Sequence, residues 1–142
     1  MENAASQQKI TYDHPDAINE IRDIVLETGK SKEALIAILK KVTDRFGFIS
    51  NLAVQEISRQ TSISAAEIFS VATFYRMLPT TQRGRHVIEF CESLPCHVVG
   101  GRELYLALVE QLGIHPGETS ADGRFTLLTT SCLGVCEVGP VL

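Results

Sequence analysis

Apolar residues recur with a helical period near the start of the chain. Ile18, Ile21 and Val25 lie three or four residues apart, and this spacing predicts an amphipathic helix. The preceding segment Asp13-His14-Pro15 offers a capping residue and a proline suited to the first helical turn. Residues 1–12 are expected to form a flexible N-terminus.

A second helix is predicted after Ser31, a residue type that favours the N-cap position. Apolar residues follow at the spacing i, i+3, i+4, i+7 and i+11. They are Leu35, Ile38, Leu39, Val42 and Phe46. Gly47 is placed to end this helix, because glycine readily adopts the backbone conformation found after helix C-termini.

Two shorter helices are predicted next. One runs from near Asn51 to Gln60, with Leu52, Val54 and Ile57 as its apolar residues. The other opens at the capping-box sequence Ser64-Ala65-Ala66-Glu67 and continues to about Met77. The apolar residues at its end are expected to pack in the core, namely Phe74, Tyr75 and Met77. Residues 13–79 are therefore expected to form a helical bundle.

The pattern changes after the polar segment from Pro79 to Arg85, which indicates a domain boundary. His86 to Phe90 and Arg124 to Thr129 are predicted strands, with a helix from Gly101 to Leu112 between them. Such a connection is expected to be a right-handed crossover between parallel strands. The loops that follow the two strands should then lie at one edge of the sheet. Residues 80–142 are expected to form this second domain.

The four cysteines of the chain follow these two strands in pairs. Cys91 and Cys96 form a C-x4-C motif, and Cys132 and Cys136 form a C-x3-C motif. Four thiolates at one sheet edge suit a metal ion or a cluster. Gly134 allows the second loop to adopt a positive φ and to turn its backbone N–H groups toward sulfur. A helix starting near Gly100 could point the positive end of its dipole at the site and stabilise negative charge there.

Spacing alone leaves the nature of the site open. Zinc and iron–sulfur clusters both accept four thiolates, but zinc sites usually contain a C-x2-C motif, and C-x4-C occurs in plant-type 2Fe-2S proteins. An iron–sulfur cluster is therefore favoured over structural zinc. Disulfides or redox-active thiols come third, since the C-x-x-C motif of thioredoxins is absent. His97 is disfavoured as a ligand because four cysteines suffice.

Composition and charge exclude several classes of function. Hydrophobic residues make up 44% of the chain and charged residues 21%, which is typical of a globular protein. A net charge of −4 gives no long-range attraction for nucleic acid. The sequence has neither a run of about 18 apolar residues nor an apolar signal core, so we expect a cytoplasmic protein without membrane insertion. Paired thiols there more often bind metal than form disulfides.

A helix-turn-helix appearance of residues 52–75 raises one alternative, a redox-sensing iron–sulfur regulator. Recognition helices use Arg, Lys, Asn or Gln to read bases, whereas Ala65 to Tyr75 carries mainly apolar residues and one Glu. This region therefore indicates no DNA-binding surface. A zinc-bound interaction module is a second alternative, distinguished by its lack of visible absorption.

An ordered set of motifs extends from about Ala34 to the end of the chain. The motifs are DRFGFIS (Asp44 to Ser50), AAEIFSVATFY (Ala65 to Tyr75), RGRHVIEFC (Arg83 to Cys91), CHVVGGREL (Cys96 to Leu104), LGIHPGETSADGRFTL (Leu112 to Leu127) and SCLGVCEVGPV (Ser131 to Val141). Through them the chain resembles the thioredoxin-like 2Fe-2S subunits of NADH-oxidising complexes. This family includes the small flavoprotein-fragment subunit of respiratory complex I and its homologues in NAD-linked hydrogenases and formate dehydrogenases.

The resemblance implies an α+β protein, with an N-terminal helical bundle followed by a thioredoxin-like 2Fe-2S domain. It implies that Cys91, Cys96, Cys132 and Cys136 hold one 2Fe-2S cluster, in a subunit that transfers electrons and performs no catalysis. FMN and NAD(H) are expected on a larger iron–sulfur partner subunit, which exchanges single electrons with this chain. Further subunits of a hydrogenase, formate dehydrogenase or complex I assembly are expected, and the site of action is cytoplasmic or peripheral to a membrane complex.

Two departures from the family pattern bear on these expectations. The segment Glu92-Ser-Leu-Pro95 replaces a Gly-Thr-Ala type of sequence found in many complex I members, which slightly favours a hydrogenase or formate dehydrogenase complex. Relatives also continue with a strand hairpin and a helix where this sequence stops at Leu142. We therefore expect either a longer native product or a partner that covers the open edge of an incomplete sheet.

Overall fold

The computed structural model describes Tyr12 and residues 16–142. This part of the chain divides into two compact units, one ending at Gln82 and the other spanning Arg83–Leu142. The expected cap Asp13-His14-Pro15 and residues 1–11 of the expected flexible N-terminus lie outside the described residues. None of the described helices has the length and apolar character needed to cross a membrane.

Four α-helices make up the described part of the first unit. They are α1 (Ala17–Thr28), α2 (Leu35–Phe46), α3 (Asn51–Gln60) and α4 (Ala65–Phe74). The four predicted helices are thus confirmed, although α4 ends at Phe74 rather than near Met77. Ser50 and Ser64 cap α3 and α4 by accepting hydrogen bonds from backbone N–H groups in the first turn.

The core of this unit follows the predicted periodicity most closely in α2. All of its predicted apolar residues are buried, namely Leu35, Ile38, Leu39, Val42 and Phe46. Gly47 adopts a φ of 89°, and its N–H donates to the Thr43 carbonyl at the end of the helix. Ser31 precedes a 3-10 turn, Lys32–Ala34, rather than α2 itself, and its side chain makes no capping hydrogen bond.

Helix α3 buries a residue that the apolar pattern did not indicate. Leu52, one of the apolar residues of this predicted helix, is 36% exposed, whereas Glu56 is only 1% exposed. Arg22 on α1 donates from Nε to Glu56 Oε1 at 2.6 Å, and Gln60 donates to the same carboxylate at 2.9 Å. Burial raises the pKa of Glu56, but the hydrogen bonds from Arg22 and Gln60 outweigh it and hold the pKa below its ordinary value. The carboxylate therefore stays charged inside the unit.

The prediction that the end of α4 packs in the core was wrong. Phe74 is 79% exposed, Tyr75 36% and Met77 56%. Within the helix only Ile68 and Ala72 are buried. Because α4 carries apolar residues on nearly every side, its sequence does not indicate which side faces the core.

The second unit is a strand–helix–strand element. Its elements are β1 (His86–Cys91), α5 (Leu94–Cys96), α6 (Arg102–Leu112) and β2 (Phe125–Thr130). The two strands pair in parallel, with His86 opposite Phe125 and Cys91 opposite Thr130. The predicted strands, their direction and the helix between them are confirmed. A short 3-10 turn, Cys136–Val138, follows β2.

Candidate metal centre

The carboxyl ends of the two strands position both cysteine pairs. Cys91 is the last residue of β1 and lies opposite Thr130, the last residue of β2. The N–H of Glu92 donates to the Thr130 carbonyl at 3.0 Å, so strand pairing continues past Cys91. Cys132 lies two positions after Thr130. Because paired strands are about 4.8 Å apart, the two cysteine loops leave the sheet side by side.

Helical backbone surrounds Cys96, where an open loop was expected. The helix predicted from Gly101 is preceded by α5, which begins at Leu94 and carries Pro95 in its first turn. A wide helical turn, His97–Gly101, joins α5 to α6 and is kinked at Gly100, where φ is 104°. Cys96 is therefore held by a helical segment that starts just before it.

The first cysteine pair is buried. Cys91 and Cys96 are each 1% exposed. The nearby backbone N–H of Ser93 lowers the pKa of the Cys91 thiol. The neighbouring Cys91 side chain raises the pKa of Cys96. Cys91 is thus the member of this pair whose thiolate form the backbone favours.

The second cysteine pair is exposed to solvent. The sulfur atoms of Cys132 and Cys136 are 3.2 Å apart, and this contact raises the pKa of Cys136. Gly134 has a φ of 82°, and its N–H donates to the Cys132 sulfur at 3.4 Å. The expectation that Gly134 turns a backbone N–H toward sulfur is confirmed.

Interactions between the loops bring the two pairs together. The backbone N–H of Leu133, in the second loop, lies near enough to Cys91 in the first to contribute to lowering the pKa of that thiol. The charge of Cys132 raises the pKa of Cys96, and the charges of Cys96 and Cys91 raise the pKa of Cys136. Electrostatic interactions therefore link the two predicted cysteine pairs.

The arrangement of the thiols fits a two-iron cluster. Among the described residues, no group of three or more His, Cys, Asp or Glu side chains is positioned to hold a single metal ion. The four thiols fall into two pairs along the chain, and the sulfur atoms of Cys132 and Cys136 are in contact. A 2Fe-2S cluster with four cysteine ligands takes two thiolates on each iron. Two pairs of cysteines are thus a donor set that such a cluster can use.

Two glycines whose role at the site the sequence did not predict lie against Cys96. A Cβ on Gly101 would stand 2.6 Å from the carbonyl oxygen of Cys96. At Gly139 a Cβ would be 3.5 Å from the Cys96 sulfur and 3.1 Å from Val99 Cγ2. These positions allow α6 and the end of the chain to approach Cys96 closely. The signal in the sequence was the Gly100-Gly101 pair after this cysteine.

Exposed apolar side chains lie within three residues of the cysteines along the chain. Each has between 45% and 75% of its surface exposed, and we call them the apolar rim: Leu94, Val98, Val99, Leu133, Val135 and Val138. Large exposed apolar patches mark interaction surfaces on otherwise soluble folds. The rim is therefore a candidate interaction surface at this end of the sheet.

A cavity of about 390 Å³ adjoins Cys91. It is lined by Phe90, Cys91, Glu92, His97, Gly101, Arg102 and Tyr105. The rings of Phe90 and Tyr105 lie 6.0 Å apart across part of this lining. His97, the residue considered as an alternative ligand, is thus a residue of the cavity wall.

A parallel strand–helix–strand unit with four thiols at one sheet edge defines a small protein that binds a metal or cluster through cysteine. The family model described as thioredoxin-like [2Fe-2S] ferredoxin matches residues 21–142. The chain belongs to this family, and its cofactor is a 2Fe-2S cluster.

Curated relatives belong to oxidoreductase complexes. The E subunits of the NADH-quinone oxidoreductases from Salmonella typhimurium and Escherichia coli K12 are each 42% identical over 109 residues, covering 77% of this chain and 66% of the relative. The corresponding protein from Buchnera aphidicola subsp. Baizongia pistaciae is 36% identical over 123 residues, covering 87% and 72%. The chain thus spans about two thirds of the length of these relatives.

A solved structure confirms the fold class. The NAD⁺-reducing [NiFe]-hydrogenase in its H2-reduced state matches with a TM-score of 0.59 and 27% identity. The match covers 73% of this chain and 17% of the hydrogenase chain. In that hydrogenase, the matching fold is one part of a much longer polypeptide.

Proposed function

We propose that this chain is an electron-transfer subunit of an NAD(H)-linked, flavin-containing oxidoreductase complex. Cys91, Cys96, Cys132 and Cys136 are the proposed ligands of its 2Fe-2S cluster. The observation that carries the proposal is the position of two cysteine pairs at and just after the ends of paired parallel strands. The names of the relatives, an NADH-quinone oxidoreductase and an NAD⁺-reducing hydrogenase, support the link to NAD(H).

In this proposal the chain contributes ligation and tuning and performs no bond chemistry. When bound, a 2Fe-2S cluster accepts and releases one electron at a time. Backbone N–H groups of Ser93 and Leu133 lower the pKa of Cys91, and that of Gly134 donates to the Cys132 sulfur. Such donors stabilise negative charge on sulfur and are one of the means by which proteins set cluster potentials.

A larger partner subunit is proposed to carry FMN and the NAD(H) site. The apolar rim supports a partner at this end of the sheet, because Cys132 and Cys136 are exposed and water near a cluster alters its potential. Covering the rim would exclude water from the second pair. Cysteine pairs that bind a metal or cluster are more common where thiols are kept reduced, which supports a cytoplasmic site of action, either free or peripheral to a membrane complex.

Replacing Cys132 with Ala tests the ligand assignment. This residue is exposed, so its removal leaves no buried cavity, and the expected result is loss of most bound iron and of visible absorption in the reconstituted protein. The neighbouring Ser131→Ala variant is the matched control and should keep both. Full cluster absorption in Cys132→Ala would contradict the assignment, and zinc in place of iron in the wild-type protein would contradict the cluster.

Subunits that co-purify with the chain would identify its complex. The relatives support two candidates, a quinone-reducing and a hydrogen-linked enzyme, and the Glu92–Pro95 segment slightly favours a hydrogenase or formate dehydrogenase. NADH-dependent reduction of a quinone analogue by the purified native complex would support the first candidate. Hydrogen- or formate-dependent reduction of NAD⁺ would support the others.

A further inference from the structure

The chain turns back toward the first cysteine pair after the second ligand loop. Residues 139–141 make this return, and we call them the strap. The N–H of Gly139 donates to the Cys136 carbonyl at 3.3 Å, and the carbonyl of Val141 accepts from the Cys91 N–H at 3.2 Å. Cys136 belongs to the second pair and Cys91 to the first. The strap is therefore hydrogen-bonded at its two ends to one cysteine of each pair.

The first residue of the strap lies against Cys96. A Cβ on Gly139 would stand 3.5 Å from the Cys96 sulfur and 3.3 Å from the Cys136 carbonyl oxygen. Because Cys96 is only 1% exposed, the strap is part of what separates this sulfur from water. The Cys91 side chain and burial raise the pKa of Cys96, whereas the nearby N–H of Val141 acts in the opposite direction. The strap thus brings a backbone N–H group near this sulfur.

Space, and not backbone conformation, explains the glycine at the start of the strap. Gly139 has a φ of −60° and a ψ of 162°, which any residue can adopt. A Cβ there would, however, lie 3.1 Å from Val99 Cγ2, inside the roughly 3.5–4.0 Å of a favourable non-bonded contact. The lack of a side chain therefore allows the strap to pass close to the helical turn that follows Cys96.

We infer that the strap positions the second cysteine pair against the first and raises the reduction potential of the cluster from the side of Cys96. Gly139 and Val141 are the positioning residues. Pairing of β1 with β2 determines where the two ligand loops begin, and the strap determines where the second loop ends. The N–H of Val141 stabilises the additional negative charge of the reduced cluster. This inference rests on the proposed function, since it takes the four cysteines as ligands of one cluster.

Two substitutions of Val141 separate the backbone of the strap from its side chain. Proline removes the N–H of this residue and keeps the carbonyl that Cys91 uses, whereas alanine keeps both groups and shortens the side chain. Val141→Pro should disfavour reduction of the cluster by about tenfold, because an N–H near sulfur is lost, and this corresponds to a midpoint potential lower by about 59 mV. Val141→Ala should keep the wild-type potential in the same optical redox titration of the reconstituted full chain. A wild-type potential in Val141→Pro, or an equal shift in Val141→Ala, would overturn the inference.

Gly139→Val tests the positioning role through a second property, the rate at which a chelator removes iron from the reconstituted protein. The new side chain should displace the strap from Val99 and Cys96, so iron should be released about 10- to 100-fold faster, the range by which lost support around a ligand lowers metal affinity. Leu142→Val changes a 58% exposed side chain one position beyond the strap, and this matched control should release iron at the wild-type rate. Wild-type release from Gly139→Val would refute the role of the strap alone, whereas a wild-type protein that binds no iron would refute the proposed function as well.

Discussion

Replacing Gly101 with Ala adds one methyl group where α6 passes closest to Cys96. The new Cβ would lie 2.6 Å from the Cys96 carbonyl oxygen, 3.0 Å from its carbonyl carbon and 3.7 Å from Phe90 Cζ. The first two distances are well inside the roughly 3.5–4.0 Å of a favourable non-bonded contact. Both atoms belong to the backbone, so no side-chain rotation relieves the overlap. The start of α6 must therefore move away from Cys96.

The expected loss of stability in Gly101→Ala follows from the free-energy cost of overpacking. An extra methyl group in a well-packed site costs about 1–3 kcal/mol. For a domain of about 60–100 residues, each 1 kcal/mol lowers the melting temperature by about 4–8 °C, so Gly101→Ala should lower that of the second unit by about 4 °C or more. Displacement of Cys96 should also reduce the amount of iron that the reconstituted protein retains, because all four thiolates must converge.

Gly113→Ala, at the opposite end of α6, is the matched control. Gly113 has a φ of 64°, and a Cβ there would meet no atom within 4 Å. The free energy of unfolding of this variant should fall by about 1 kcal/mol because alanine is strained in the left-handed backbone conformation. Its iron content should stay complete. Calorimetric melting and iron analysis of both proteins provide the measurements. A Gly101→Ala protein with wild-type iron content and melting temperature would refute the role assigned to this close approach.

Further predictions concern the buried carboxylate of the helical unit. Arg22→Ala should lower the free energy of unfolding by about 1–3 kcal/mol, because the buried Glu56 loses a charged hydrogen-bond partner. Lys32→Ala breaks only an exposed ion pair and should lower the free energy of unfolding by less than about 1 kcal/mol. Equal losses for the two variants in urea titrations would contradict this prediction. The folded pKa of Glu56 lies below its ordinary value of 4.5, so its stabilising contribution is present above the unfolded pKa and is lost as pH falls through the folded pKa. Glu56→Gln should therefore be less stable than the wild type near neutral pH, and the difference should shrink in acid; a pH-independent difference would count against the charged pairing.

The sequence predicted those features that depend on local periodicity. In α2 the five apolar positions fall on one side of a helix, and every one is buried. The strands β1 and β2 alternate with a helix, and the crossover rule then gives their parallel pairing and places the cysteine loops together. Gly134 was likewise predictable, because a turn within a short ligand loop requires a positive φ.

Features that depend on tertiary partners were not predictable from the sequence. The burial of Glu56 depends on Arg22, a residue of another helix 34 positions away. The exposure of Phe74 and Met77 depends on which side of an apolar helix meets the core, and apolar residues on every side give no periodic signal. The early helical turn around Cys96 depends on packing against Gly101, which no local propensity encodes.

Because β1 pairs in parallel with β2, the distance between the two cysteine loops does not depend on the length of the chain that connects the strands. The spacing between the two ligand loops is set by adjacent backbones, with Cys91 level with Thr130, and not by the path of residues 97–131 between them. Residues 117–120 of the connection are an exception, because they pair with β2 through backbone hydrogen bonds such as that from the Leu127 N–H to the Glu118 carbonyl. Engineered versions therefore have latitude to vary in length outside that stretch, while the few residues bordering each strand end do not.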